Sequence, residues 1–218
     1  MRLDQTPRFV TSGWVEVPEA AVLRGGSWRT RRLPVRYGLL DHPVAGLTLI
    51  DTGYTPHTVT DPGRSLSMKI NSALLRAKLS PEGQPEAVLA RFGRGLSDVA
   101  CVILTHFHAD HVSGLRLFEN ARFIGARADL EVMGRRARWR NAAQGMFDAL
   151  LPTDFHERFE PIEACAQVDR ARLSGLRDLF GDGSLCAVPL PGHTQGHFGL
   201  FYHTAGGPVL YGCDAQYV

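Results

Sequence analysis

The sequence has almost no charge imbalance: 24 Lys and Arg stand against 22 Asp and Glu, a formal net charge of +2 over 218 residues. A dedicated nucleic-acid binder usually shows a basic face, so this balance argues against one. No apolar run approaches the ~18 consecutive residues that a membrane-spanning helix needs. The N-terminal stretch Met1-Arg2-Leu3-Asp4-Gln5-Thr6-Pro7-Arg8 has no apolar segment behind its charges, which excludes a signal peptide there. Cysteine is scarce. Cys101, Cys165, Cys186 and Cys213 are widely spaced and make no CxxC pair, which reads as reduced thiols in a cytoplasmic protein rather than a disulfide framework. Repeats, linkers and low-complexity tracts are missing, and 44% hydrophobic residues leave no case for disorder. The length fits one domain spanning 1–218, since a domain takes roughly 100–200 residues.

Strand-like runs fill the first third of the chain. Residues 33–40 and 47–50 flank the turn-like Asp41-His42-Pro43-Val44-Ala45-Gly46 and suggest a hairpin. Over residues 64–79, Leu66, Ile70, Leu74, Leu75 and Leu79 recur at helical spacing until Pro81 stops the pattern. That face suits core packing or the lining of an acyl-chain pocket. A second helix is expected over 85–92, closed by Gly93. Val99-Ala100-Cys101-Val102-Ile103-Leu104 reads as a buried strand, and residues 121–124 repeat the signal. Residues 128–140 look helical with a basic outer face; the Arg135-Arg136-Ala137-Arg138-Trp139-Arg140 cluster could touch phosphates, but suits a solvated face better. Strands return over 185–190, 197–203 and 209–213, with Ala205-Gly206-Gly207 turning between the last two. Strands, helices and strands again in one modest chain predict an α+β sandwich.

The chemistry concentrates in three loops. Directly after the buried strand comes Thr105-His106-Phe107-His108-Ala109-Asp110-His111, three imidazoles and a carboxylate within six positions. Each neutral imidazole offers one lone pair, and a carboxylate completes a donor set suited to zinc or a neighbouring divalent metal. The alternation of His106 and His108 can aim both at one ion, while Asp110 and His111 can face a second. Far downstream, Pro191-Gly192-His193-Thr194-Gln195-Gly196-His197 again delivers a histidine from a strand into a Gly/Pro-rich loop. His193 is the third candidate ligand for the first ion, and His197 suits hydrogen bonding behind it. Tyr211-Gly212-Cys213-Asp214 ends a further strand with a carboxylate that can bridge two cations.

These three loops, together with Leu49-Ile50-Asp51-Thr52-Gly53 upstream, resemble the metallo-β-lactamase-fold hydrolase superfamily from about Leu33 to the last residue. The resemblance implies a four-layer αββα sandwich with two metal sites at one edge between its sheets. It implies the ligands His106, His108 and His193 for one ion and Asp110, His111 and Asp214 for the other, with Asp51 buried behind them as an orienting group. Superfamily members usually add a histidine to the second ion after the bridging aspartate. No such residue follows Asp214 before Val218, which predicts a sandwich cut short at its C-terminus, an under-coordinated second site and an exposed sheet edge that invites a homodimer. His57 and His203 are the poor alternatives for that place. Zinc is the default metal, with iron, manganese or cobalt as alternatives.

Asp214-Ala215-Gln216-Tyr217 further resembles the Asp-x-x-Tyr arrangement of the N-acyl-homoserine-lactone lactonase branch. That likeness implies hydrolysis of a small-molecule lactone or ester, with Asp110 passing a proton to the leaving alkoxide and the Tyr217 hydroxyl steadying the oxyanion. A thioesterase of the glyoxalase II type is the second expectation, and an inactive, truncated metal-binding module the third. Neither nucleic acid nor a membrane is expected as a partner.

Overall fold

A computed structural model of the chain describes residues 6–170 and 173–215. Seven strands form the first sheet: β1 (Arg8–Pro18), β2 (Thr30–His42), β3 (Gly46–Ile50), β4 (Lys78–Leu79), β5 (Val99–Leu104), β6 (Arg122–Gly125) and β7 (Phe159–Pro161), in the order β4-β1-β2-β3-β5-β6-β7. The second sheet is β12-β11-β10-β9-β8, built from β8 (Ala166–Arg170), β9 (Leu173–Asp178), β10 (Leu185–Pro189), β11 (Phe198–Thr204) and β12 (Gly207–Tyr211). The helices are α1 (Pro56–Val59), α2 (Leu66–Leu74), α3 (Pro85–Arg91), α4 (Ala109–Val112), α5 (Arg127–Arg135), α6 (Arg138–Ala143) and α7 (Phe155–Arg158). This is the α+β arrangement that the sequence predicts.

The interior strand β5 is apolar on both faces because both are covered. Cys101 and Ile103 join Leu40, Ile50 and Ile124 against Leu185, Ala187, Phe198 and Leu200 of the second sheet. Val102 and Leu104 point the other way, into a cluster with Met68, Leu89, Val112, Leu115 and Phe155 from the helical layer. β3 and β5 run parallel, as do β5 and β6, so their C-terminal ends open on the same edge of the sheet. The two sheets are tied together at that edge, where the Phe198 amide donates to the Thr105 carbonyl at 3.1 Å.

Two expected helices differ from the observed ones. The helix over 64–79 stops at Leu74; Arg76 takes a left-handed φ of 47°, and Lys78–Leu79 pairs with β1 as β4. Its buried residues are Met68 and Ser72, whereas Leu66, Ile70 and Leu74 are 73%, 51% and 75% exposed. Those three residues therefore face solvent, and of the apolar stripe only Leu75, which lines a cavity, and Leu79, which packs against the core, turn inward. The helix expected over 128–140 breaks after α5: Arg136 is extended, and the Asn141 side chain donates to the freed Met133 carbonyl at 2.8 Å. The arginines on either side of the break are a solvated face, with Arg135 on Glu131, Arg138 on Asp148 and Arg140 over Trp139.

Candidate metal centre

Four strand ends supply the site. β5 ends at Leu104 and releases His106 and His108 into the following loop, and α4 then turns Asp110 and His111 to the same side. The loop between β10 and β11 carries His193 and His197. Asp214 follows β12, and Asp51 follows β3. Asp51 adopts a left-handed φ of 61°, a conformation that Asp tolerates better than most residues. There its backbone N–H reaches the Ile103 carbonyl at 2.7 Å, tying the ends of β3 and β5 together.

Of the six residues predicted as ligands, five fall into compact donor groups, and Asp110 stands beside them against His111. His106 Nε2 lies 3.1 Å from His108 Nδ1, and the rings of His106, His108 and His193 meet edge-on with centroids 4.5–4.7 Å apart. One Asp214 oxygen, Oδ2, stands 3.4 Å from His193 Nε2, 3.5 Å from His111 Nε2 and 3.9 Å from His106 Nε2. His111 Nε2 is also 3.5 Å from Asp110 Oδ2. Two donor groups result, His106 with His108 and His193, and His106 with His111 and Asp214; the donor atoms of each lie within 4.8 Å of one another. Asp214 sits between them, as a bridging carboxylate must. Neither alternative histidine belongs to the cluster: His57 pairs with Asp61, and His203 lies on β11 against Phe201. Tyr217 lies outside the described residues.

The electrostatics suit cations. Burial holds His106 far below the ordinary imidazole range, helped by the neighbouring histidines, and burial pushes His108 down to about 4. His193 is lowered by burial as well. These three rings are neutral at pH 7 and keep a lone pair to donate. For His111, burial favours the neutral form, but the carboxylates of Asp110, Asp51 and Asp214 outweigh it and raise the ring well above its ordinary value. Reciprocally, His111 holds Asp110 and Asp214 ionised against the cost of burial. Two carboxylates packed on buried imidazole nitrogens form a donor set that a divalent cation fits.

Behind the donors is a supporting layer. Asp51 is fully buried, accepts from the Thr105 amide and hydroxyl at 2.9 Å each, and stands 2.9 Å from His111 Nδ1. This is the orienting place that the sequence predicts for it. Three contributors escape sequence reading. Asp129 of α5, fully buried, accepts from the Gly196 amide at 2.6 Å and the Thr194 hydroxyl at 2.8 Å, and so clamps the loop that carries His193. Gly196 fits there because a Cβ would stand 2.9 Å from the Asp129 carboxyl carbon. Cys213, at a left-handed φ of 49°, turns its thiol inward to 3.2 Å from the Thr105 hydroxyl, and burial pushes that thiol up to about 11. Tyr54, buried beside Asp110, lines an apolar cavity of about 290 Å³ with Val15, Val17, Leu33 and Leu75. His108, Asp110 and Asp214 form its floor.

The Metallo-beta-lactamase superfamily model matches residues 30–218. The chain is 28% identical over 199 residues to the N-acyl homoserine lactonase AttM of Azorhizobium caulinodans, covering 88% of this chain and 68% of that protein. It is 29% identical over 186 residues to the N-acyl homoserine lactonase AiiA of Bacillus thuringiensis subsp. kurstaki, covering 85% of this chain and 65% of the relative. The chain thus spans about two thirds of the length of these relatives. Among solved structures, AiiA of B. thuringiensis with N-decanoyl-L-homoserine bound at its active site superposes with a TM-score of 0.73 at 24% identity, over 100% of this chain and 78% of that one. The dizinc quorum-quenching lactonase AidC gives a TM-score of 0.59 at 14% identity, over 93% of this chain and 68% of its own.

Proposed function

Because the chain belongs to the metallo-beta-lactamase superfamily, we propose that it is a metal-dependent hydrolase that opens lactones or cleaves related esters. The observation that carries this reading is the Asp214 carboxylate, whose Oδ2 lies within 3.4–3.9 Å of imidazole nitrogens from three different positions. His106, His108 and His193 would hold one ion and Asp110, His111 and Asp214 a second, with zinc the default occupant of the nitrogen-rich set. Bound there, such ions supply Lewis-acid polarisation of the scissile carbonyl and a nucleophile at neutral pH. Asp110, on the cavity floor, passes a proton to the departing alkoxide. Val15, Val17, Leu33 and Leu75 take up the acyl portion and keep water from it, which fits the acyl-homoserine lactones named for AttM and AiiA. In this reading the Tyr217 hydroxyl steadies the developing oxyanion. Four free cysteines support a cytoplasmic location.

A screen of acyl-homoserine lactones, aryl esters and acyl-thioesters, with bound metal counted per chain, tests the reading. Lactones should be turned over best, and only by metal-loaded protein. Preferential thioester hydrolysis would move the assignment to a glyoxalase II-type enzyme. Metal uptake without turnover of any of the three would leave a metal-binding module.

A further inference from the structure

His197 is 2% exposed, and its Nδ1 lies 2.9 Å from the Leu190 carbonyl oxygen. A carbonyl only accepts, so Nδ1 carries the hydrogen and Nε2 is left as a lone pair. That Nε2 is buried and has no hydrogen-bond partner among the described residues. Buried nitrogens of this kind are ordinarily satisfied. The thiol that shares this space is Cys213, turned inward by a left-handed backbone that a residue without special cause avoids. One donor atom each from His106, His197 and Cys213 lie within 4.8 Å of one another.

We infer that Cys213, His197 and His106 form a third, sulfur-containing metal position that captures a thiophilic divalent cation behind the His106–His108–His193 group. Two imidazoles and a thiolate make a soft donor set, unlike the nitrogen and oxygen sets in front of it. Around a common zinc the three atoms would stand roughly 3.4–3.7 Å apart, so side-chain rotation from within 4.8 Å is enough to seat an ion. The binding step balances simply: the Sγ–metal bond forms as the S–H bond breaks, and the proton leaves to solvent without any redox change. A neutral imidazole has one lone pair to give, so His106 serves either this position or the hydrolytic one. The two positions therefore compete, and a thiophilic ion loads the chain in a way that a hard one cannot. This inference goes beyond the hydrolase reading and does not depend on turnover.

Titration of the chelator-stripped full chain with Co²⁺ and with Cd²⁺ tests it. A thiolate-to-metal charge-transfer band should grow in the near ultraviolet, persist in Cys165→Ser, disappear in Cys213→Ser and weaken in His197→Phe. In the unmodified chain, Cd²⁺ should slow alkylation of Cys213 by iodoacetamide at least tenfold while Mg²⁺ does not, a reading that holds even where a variant fails to fold. Full metal loading with no band, a band unchanged by Cys213→Ser, or Cys213 alkylated equally fast with Cd²⁺ would each overturn the inference. A chain that gives the band yet hydrolyses no lactone would refute the hydrolase reading alone.

Discussion

His111 is held between opposing carboxylates: its Nδ1 lies 2.9 Å from Asp51 Oδ2, and its Nε2 lies 3.5 Å from both Asp110 and Asp214. Asp51 is itself fixed by the Thr105 amide and hydroxyl. A histidine whose far nitrogen is held by a buried carboxylate is locked in ring orientation and made a stronger donor, so the pair acts as one unit.

Asp51→Asn should therefore weaken metal at the Asp110–His111–Asp214 position by about 10–100-fold while sparing the three-histidine position. Stepwise competition against a chromophoric chelator reads both affinities. Equal affinities in the variant and its parent would reduce Asp51 to a fold-holding residue.

Asp129 does for His193 what Asp51 does for His111, but through the backbone. In Asp129→Ala the Gly196 N–H and the Thr194 hydroxyl both lose their buried acceptor. That costs about 1–3 kcal/mol of stability per donor. The freed loop should also lower affinity at the His106–His108–His193 position by roughly tenfold or more. Denaturant melts with and without metal separate the two effects. Lost stability with unchanged metal affinity would mean that the loop holds its shape without the clamp.

What the sequence made legible was local. The metal loops could be read because their donors are contiguous, as in residues 106–111, or punctuated by Gly and Pro, as in 191–197. Asp129, Thr105 and Cys213 could not, because each acts across 54 residues or more on a partner that only the packed sheets bring near. The same contrast runs through the fold. β5 declares itself by continuous apolarity, yet β1 is broken by Thr11-Ser12-Gly13, where its register against β2 shifts, and β8 reads as polar because little of it is buried. For α2 the spacing of Leu66, Ile70 and Leu74 marks a face but not which side meets the core. Periodicity carries no sign, and Met68 on the other side won.

Gly199 couples the sheet to the site. A Cβ there would stand 2.5 Å from the Tyr211 carbonyl oxygen and 2.9 Å from Leu190 Cδ1, just where β12 ends and delivers Cys213 and Asp214. Gly199→Ala must push β12 aside, at a cost of about 1–3 kcal/mol as for other overpacked sites. Thermal melts should show the loss, and metal that needs Asp214 should bind more weakly. A variant as stable as its parent would mean that β12 yields freely.

His42 gives the fold an acid-sensitive point away from the metal centre. Its ring is buried; Nδ1 accepts from the Val44 and Ala45 amides at 3.2 and 3.1 Å, and Nε2 lies 2.8 Å from the Ser184 hydroxyl. A protonated ring has no lone pair for those two amides. Burial lowers the pKa of this histidine, with Asp182 at 3.6 Å opposing, so the folded value lies below that of the unfolded chain, about 6.5. Below that pH the unfolded state binds more protons, and the linkage relation makes stability fall as pH falls toward the folded pKa. The contribution is complete above about 6.5 and is lost on acidification. Urea melts of metal-stripped protein at pH 7.5 and 5.5 should show this slope. His42→Asn, whose Oδ1 can still accept from the Val44 and Ala45 amides, should be less stable at pH 7.5 but lose less on acidification. The histidines of the metal cluster titrate in both proteins and cancel in the difference. Parallel stability curves for the two would show that His42 is not the proton acceptor.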